Sequence, residues 1–298
     1  MTQLTCRLCE HGDLKEHFVA KGFHLLACHR CGFVQVAEAP QEHNIALYDQ
    51  EYFSHNKYQD LDILERENRR RLDLLKRTLP LEGARVLDAG CGVGDFVALA
   101  AAETGAELVG TDIAEAAIRI AQESYPHLDA HFHAGLLEEQ DFAAESFDVI
   151  CSWDVIEHIW QPVATYQRLF KFLKPGGSLL LSTPNIGAPI ARAMGRYWAF
   201  MTPPEHLSFF NKQSMRWLAE ETLRAEMTDW FSRGKWTNVG FLVYKAHRVL
   251  PSAWLAKLRD FLHHSPLGKL PIYVPTGDVQ YAVIRKPQLA GLELELRP

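Results

Sequence analysis

Two groups of residues have types and spacing that can do chemistry. The first is Asp88-Ala89-Gly90-Cys91-Gly92-Val93-Gly94-Asp95, set between the apolar pair Val86-Leu87 and an alanine-rich stretch, Val97 to Ala102. A buried strand that breaks into glycines and then a helix is the opening βα unit of a doubly wound sheet, whose ligands sit beyond the carboxyl ends of the strands. A second apolar run, Glu107 to Thr111, ends in Asp112, 24 positions after Asp88. An acidic side chain there can hold both hydroxyls of a ribose. The glycines depart from the G-x-G-x-x-G order of dinucleotide sites, since position 95 is Asp. Carboxylates on both sides of the turn repel a pyrophosphate and favour a nucleoside that carries positive charge. The second group is Cys6-x2-Cys9 and Cys28-x2-Cys31. Each pair can turn two thiolates toward one ion, and the two pairs complete a closed tetrahedral zinc site. Such a site is structural, so this zinc is expected to take no part in catalysis. His11 and His29 lie nearby and could substitute as ligands, but solvated neighbours are the favoured reading.

S-adenosylmethionine, with its ammonium and sulfonium, suits the field around the glycine turn. The pattern Val86-Leu87-Asp88-x-Gly90-Cys91-Gly92-x-Gly94 resembles motif I of the class I S-adenosylmethionine-dependent methyltransferases. Residues 146–152 are similar to that family's fourth strand, and Asp154-Val155-Ile156-Glu157-His158-Ile159 to the acidic segment that follows it. Residues 169–185, with Lys174-Pro175-Gly176-Gly177, are similar to its next helix, turn and fifth strand. With the cysteine ribbon in front and Pro204-Glu205-His206-Leu207-Ser208-Phe209-Phe210 behind, the resemblance narrows. It points to the zinc-ribbon-bearing relatives of the ubiquinone-type O-methyltransferases and sugar C-methyltransferases, over about residues 1–235.

The resemblance implies an α/β fold: a Rossmann-like, doubly wound seven-stranded sheet with an amino-terminal zinc ribbon. It implies S-adenosylmethionine as donor and S-adenosylhomocysteine as product, beside one structural zinc. It assigns the cofactor to Asp88, Gly90, Cys91, Gly92, Gly94, Asp112, Ile113, Leu136, Leu137, Ser152 and Trp153. Where many relatives carry an Asp for the adenine amino group, this chain has Gly135-Leu136-Leu137. Leu136 cannot accept that hydrogen bond, so adenine is expected to rest on backbone groups and apolar packing. Residues up to 298 show no counterpart of the long carboxyl-terminal domain of the sugar enzymes, which lowers the expectation of a sugar acceptor without excluding it. O-methylation of a small molecule therefore leads, and C-methylation of a sugar or natural-product intermediate follows.

Transfer to oxygen or carbon usually needs a base. The candidates are His206, which is favoured, with His158 and Glu205. Asp154, Glu157 and His158 also match the spacing of a divalent-ion set in quinone-type relatives, and a hard cation would suit a catechol. The apolar segment 186–204 is read as a lid that turns Ile190, Met194, Tyr197, Trp198 and Phe200 toward the acceptor. Packing on the core would use the same side chains. Tyr48, Tyr52, Phe53 and Tyr58 either cover a ligand or pack the linker on its neighbour.

These residues need elements to position them. The 298 residues are expected to divide into a zinc ribbon (1–40), a linker and helix (41–80) and a methyltransferase domain (81–298), with insertions at 186–210 and 237–268. Leu61, Leu64, Leu72, Leu75 and Leu79 have helical spacing, and Pro80 ends the helix. Arg69-Arg70-Arg71, interleaved with Glu65, Glu67 and Asp73, is read as a solvated face. A helix is expected at 212–224, strands at 227–231 and 278–285, and a helical pair broken by Pro251 between them. That pair could be a cover for the sheet, a dimer face or a surface touching a membrane.

Composition bounds the rest. Apolar residues at 47% and charged residues at 23% describe a folded chain. A net charge of −6 gives no general pull toward nucleic acid, so an RNA methyltransferase gripping its substrate with ribbon and arginines is the lesser alternative. A cofactor-binding protein without catalysis is a third class. No apolar run approaches the length of about 18 residues that spans a bilayer. The amino-terminal residues lack the layout of a signal peptide, so a cytoplasmic protein with reduced thiols is expected, as a monomer or homodimer.

Overall fold

A computed structural model describes residues 4–38, 61–128 and 130–288. The aromatic residues at 48, 52, 53 and 58 lie outside the described residues. The chain opens with a hairpin of β1 (Leu14–Ala20) and β2 (Phe23–Cys28), closed by the tight turn Lys21-Gly22, and continues into β3 (Val34–Val36). Helix α1 (Leu61–Thr78) leads to β4 (Arg85–Ala89), α2 (Asp95–Thr104), β5 (Glu107–Asp112), α3 (Glu115–Ser124) and β6 (Ala130–Ala134). Next come β7 (Phe147–Trp153), α4 (Pro162–Phe172), β8 (Leu173–Pro184), α5 (Pro189–Met194) and the short β9 (Ser208–Phe209). The remainder is α6 (Lys212–Arg216), a wider-wound turn over Trp217–Thr222, β10 (Glu226–Asn238), α7 (Val239–Val249), α8 (Ala253–His263) and β11 (Pro271–Arg285). No helix among the described residues is long and apolar enough to cross a membrane.

The main sheet has seven strands in the order β10-β11-β8-β7-β4-β5-β6. Strands β6, β5, β4, β7 and β8 run parallel, while β11 is antiparallel to β8 and β10 to β11. This is the α/β, seven-stranded, doubly wound fold expected from the sequence. Its parallel strands are nearly continuous apolar runs because helices cover both faces. Val86, Leu87, Leu108, Val109, Val149 and Ile150 are all buried. The chain leaves β4 toward β5 on one side and returns at β7 on the other. That reversal opens a crevice at the carboxyl ends of β4 and β7.

Strands β10 and β11 are longer than their sequence pattern suggests. Pairing continues from Lys235↔Val274 to Asn238↔Pro271, past the level at which Val279 meets Pro184 at the end of β8. The extension was hidden because Ser232-Arg233-Gly234-Lys235 lacks apolar alternation and contains a register shift. A side chain at Gly234 would put its Cβ 1.8 Å from the Val274 carbonyl oxygen, so glycine is what lets the two backbones close. The hairpin thus projects beyond the carboxyl edge of the sheet, carrying α7 and α8, which break at Pro251 as expected.

A second sheet, β1-β2-β3-β9, belongs to the cysteine ribbon, yet its fourth strand comes from residues 208–209. Val34 pairs with Phe209 and Gln35 with Ser208. Cys6, Leu8, Cys28, Cys31 and Phe33 share one apolar cluster with Tyr166, Leu169, Phe210 and Leu218. Another cluster joins Ile186, Ala191, Trp198 and Met201 to Leu25, Val34 and Val36 of the ribbon sheet. The segment expected to close over an acceptor is therefore packed against the ribbon. Trp198 is buried and donates its indole N–H to Asp278 at 3.0 Å, while Tyr197 is exposed.

The arginine cluster also differs from a purely solvated face. Arg69 does pair with Glu65 and Glu103 at the surface. Arg70 instead pairs with Glu67 and donates to the Gly234 carbonyl at 2.9 Å, and Arg71 turns inward. Helical geometry separates three consecutive residues by about 100° each, so a run of like charges need not share one environment.

Candidate active site

The crevice between β4 and β7 is a cavity of about 620 Å³, within the usual range for small-molecule sites. Its floor is the glycine turn. Gly90 has φ +90°, and a Cβ there would stand 2.3 Å from Cγ2 of Val155, so the turn requires glycine. Asp112, at the end of β5, accepts the Gly92 N–H at 2.8 Å with one carboxylate oxygen. Its other oxygen accepts the Ala114 N–H at 2.9 Å. The two bonds lock the carboxylate to the turn and leave further lone pairs on both oxygens. Burial raises the Asp112 carboxyl above its ordinary pKa, against the pull of these two amides. Asp88 is only 1% exposed, and its Oδ1 has no hydrogen-bond partner. Burial pushes this carboxyl up to about 7, opposed by Arg71 and reinforced by Asp112.

Of the residues assigned to the cofactor, Asp88, Gly90, Cys91, Gly92, Asp112, Ile113, Leu136, Leu137 and Trp153 line the cavity. Gly94 and Ser152 stand outside its lining. Gly94 turns the chain into α2 and sits against Phe132 and Ala121. Ser152 is fully buried, with its hydroxyl 2.6 Å from that of Tyr166. Successive strand residues face opposite sides of a sheet, so Trp153 reaches the cavity and Ser152 does not.

Helix α1 supplies wall residues that the sequence reading missed: Leu64, Asn68 and Arg71. They stand at i, i+4 and i+7, one face of a helix, and that spacing was the available signal. Arg71 is the one lysine or arginine among the described lining residues. Its guanidinium is 2.5 Å from the Asp154 carboxylate and 3.2 Å from the Asn68 side-chain oxygen. Asp154 also accepts the Ser182 hydroxyl at 2.8 Å. Asp154 is thus engaged with Arg71 and Ser182, and a different triad gathers behind it. The ligand-capable atoms of Glu157, His158 and His206 all lie within 4.8 Å of one another.

His158 and Glu205 line the cavity, and His206, the favoured base, does not. The two imidazoles meet edge to face with centroids 4.7 Å apart, His206 being the more buried ring. Nδ1 of His158 lies 2.9 Å from the Glu205 carbonyl oxygen, and Nδ1 of His206 lies 2.8 Å from that of Phe200. A carbonyl only accepts, so each Nδ1 carries the proton and each Nε2 presents a lone pair when the ring is neutral. Glu157 is buried and accepts the Thr183 hydroxyl at 2.8 Å.

The four ribbon cysteines converge. The sulfurs of Cys6 and Cys31 are 3.6 Å apart, and those of Cys9 and Cys28 are 3.5 Å apart. A tetrahedron with metal–sulfur bonds of about 2.3 Å has edges of roughly 3.8 Å, so the cradle has the right size for zinc. The hydrogen bond between Cys6 and Cys31 lowers the pKa of Cys6 and raises that of Cys31, so the two thiols share one proton as a pair. Between the first two cysteines, Arg7 reaches the cavity wall. Its guanidinium lies 3.6 Å over the Trp160 ring and donates to the Leu207 carbonyl at 2.7 Å, and both residues line the cavity.

Comparison with known proteins agrees with this architecture. Residues 63–222 match the family Methyltransf_23, described as a methyltransferase domain. The chain is 30% identical over 199 residues to the ubiquinone biosynthesis O-methyltransferase of Xanthomonas oryzae pv. oryzae strain PXO99A, covering 61% of this chain and 82% of that protein. It is likewise 30% identical over 201 residues to the protein of the same name from Aromatoleum aromaticum, covering 60% and 84%. Among solved structures, phosphoethanolamine N-methyltransferase 2 of Haemonchus contortus, in complex with S-adenosyl-L-methionine, superposes with a TM-score of 0.51. That match has 19% identity and covers 80% of this chain and 60% of the other, a likeness of fold. The strand order, the acid-flanked glycine turn and a family match across more than half the sequence lead to one conclusion: the chain belongs to the methyltransferase-domain family and is an S-adenosylmethionine-dependent methyltransferase.

Proposed function

We propose that this enzyme transfers a methyl group to an oxygen of a small-molecule acceptor. The observation that carries the reading is one cavity bounded by Asp112 and the glycine turn at one side and by His158 and Glu205 at another. Donor and acceptor would then share one crevice. In the reaction the acceptor oxygen attacks the methyl carbon in line, the carbon–sulfur bond breaks, and the sulfonium leaves as the thioether of S-adenosylhomocysteine. The oxygen's proton passes to a base. Alignment supplies most of the rate for so activated a donor.

The cavity residues suit this donor. Arg71 Nε, Asp88 Oδ1 and Trp153 Nε1 are buried polar atoms without partners, and all three residues line the cavity. Arg71 would meet the methionine carboxylate and Asp88 the ammonium, while Asp112 would take the ribose hydroxyls. Ile113, Leu136 and Leu137 would form the apolar seat of the adenine. His158 would accept the acceptor's proton, with Glu205 beside it and His206 holding the ring from behind. Glu157, His158 and His206 also form a set able to hold a divalent ion, which would orient a dihydroxy-aromatic acceptor. In the ribbon, Cys6, Cys9, Cys28 and Cys31 would hold one structural zinc, a reading supported by their sulfur spacing. The relatives' names, with their ubiquinone biosynthesis O-methyltransferase activity, favour oxygen over carbon as the acceptor atom.

Two measurements test the reading. Calorimetry should find S-adenosylhomocysteine bound by the wild type and weakened roughly 30-fold or more by Asp112→Ala, since charge-assisted bonds to the ribose are lost. Undiminished binding would overturn the site. Labelled S-adenosylmethionine offered with catechol-type acceptors should give methoxy products; methylated carbon in their place would reassign the reaction.

A further inference from the structure

Among the described residues, the exposed large apolar side chains are concentrated in one place. Eight of the ten large apolar side chains exposed among the described residues fall between positions 241 and 272, on and around helices α7 and α8. Leu250, at the break between the helices, is 69% exposed, Trp254 68% and Phe261 60%. Trp254, Lys257 and Phe261 stand at i, i+3 and i+7 and share one face of α8. Leaving two aromatic rings of this size in water is unfavourable by their whole apolar area, so the face calls for something to cover it.

Charge says what that is. Residues 239–270 contain five lysines or arginines and a single acidic residue, in a chain whose net charge is −6. The one acid, Asp260, is itself 2.6 Å from the Arg259 guanidinium. Aromatic and aliphatic side chains interleaved with cations on an amphipathic helix are the pattern of a segment lying in the plane of an anionic bilayer surface. A second copy of the chain would fit less well, because a two-fold contact would set this positive surface against itself.

We propose that the α7–α8 face docks the enzyme on an anionic lipid surface, with Trp254, Phe261 and Leu250 entering the headgroup region and Lys257 meeting lipid phosphates. The hairpin that carries the helices extends past Pro184, on the edge of the sheet where the cavity opens. Helix α1 braces both. Glu67 accepts the Trp236 backbone N–H at 2.9 Å and Arg70 holds the Gly234 carbonyl, while Leu64, Asn68 and Arg71 form cavity wall. Docking therefore turns the edge of the sheet that bears the substrate crevice toward the bilayer.

The test uses the full chain and vesicles of phosphatidylcholine, with or without roughly one third phosphatidylglycerol. The protein should sediment with the anionic vesicles at low salt and be released at high salt. Brominated lipid should quench its fluorescence, and most of that quenching should vanish in Trp254→Phe. The pair Trp254→Ser with Phe261→Ser, and separately Lys257→Glu, should each weaken vesicle binding about tenfold or more, with the melting temperature unchanged. Equal binding to neutral vesicles, or binding that survives both variants, would overturn the proposal. So would absence of vesicle binding with self-association that the serine pair abolishes, which would make the face a dimer contact.

Discussion

Asp88 is a carboxylate buried near the end of β4 in the wall of the cavity, and its titration should be visible. Its pKa stands at about 7 in the folded protein against 3.8 ordinarily, with burial as the main cause. Below about pH 4 both folded and unfolded chains are protonated there and nothing is lost; as pH rises toward 7 the unfolded chain ionises first, so this group's contribution to stability falls. Asp88→Asn should flatten that part of the stability–pH profile measured by denaturant melts. On the proposed pairing of Asp88 with the ligand's ammonium, binding needs the ionised form, so S-adenosylhomocysteine binding should release a proton below about pH 7 and tighten as pH rises to that point. Calorimetry in buffers of different ionisation heat would read this, and an identical pH slope in Asp88→Asn would assign it elsewhere. On the acceptor side, His158→Ala should lower kcat by about 100-fold or more while leaving S-adenosylhomocysteine affinity intact. His206→Ala should do less. Glycines and acids at fixed offsets made the cavity wall around the glycine turn legible in the sequence, because a βα turn has little freedom in where it puts them. Which of two histidines 48 positions apart faces a cavity is a matter of ring packing, and no spacing encodes it.

The elements were legible in proportion to how strongly their residues repeat. Val- and Leu-rich strands and the leucine periodicity of α1 announced the parallel sheet and the helix before it. The distal part of the β10–β11 hairpin did not, because its residues are neither buried on both faces nor alternating. The apolar character of segment 186–204 is plain in the sequence, but its partner, the ribbon sheet, is distant in sequence and invisible to local pattern. The ribbon itself carries a prediction. Metal analysis of the purified protein should find about one equivalent of zinc, lost in Cys9→Ser or Cys28→Ser. Because Arg7 sits between the first two cysteines and holds Trp160 and the Leu207 carbonyl, the same variants should impair methyl transfer more than donor binding. Calorimetry on the zinc-free variant should give S-adenosylhomocysteine affinity within about threefold of wild type at a temperature where it remains folded; parallel loss of both would mean that the ribbon supports the whole crevice and has no preference for the acceptor side.

At the scale of the whole molecule, the ribbon and the large sheet are joined in a way that no linear division of the chain expresses. Strand β9 leaves the neighbourhood of His206 and completes the sheet that β1, β2 and β3 began. Apolar clusters likewise run from the cysteines into α4 and from the ribbon strands into 186–201. The net charge of −6 is distributed with equal purpose: acids gather at Asp88, Asp95 and Asp112, and cations at the projecting helices. The late arrival of β9 has a consequence in time. The contact between Arg7 and Leu207 spans 200 residues. As the polypeptide leaves the ribosome, the cysteine loop can close once residue 31 is out, but the outer edge of Val34-Gln35-Val36 waits for the rest of the wall to be made. Until then it is an unprotected strand edge, open to pairing with a neighbouring nascent chain. A fragment ending at residue 200 should accordingly scatter light at concentrations where the complete protein stays clear, and a chaperone that shields strand edges should suppress it.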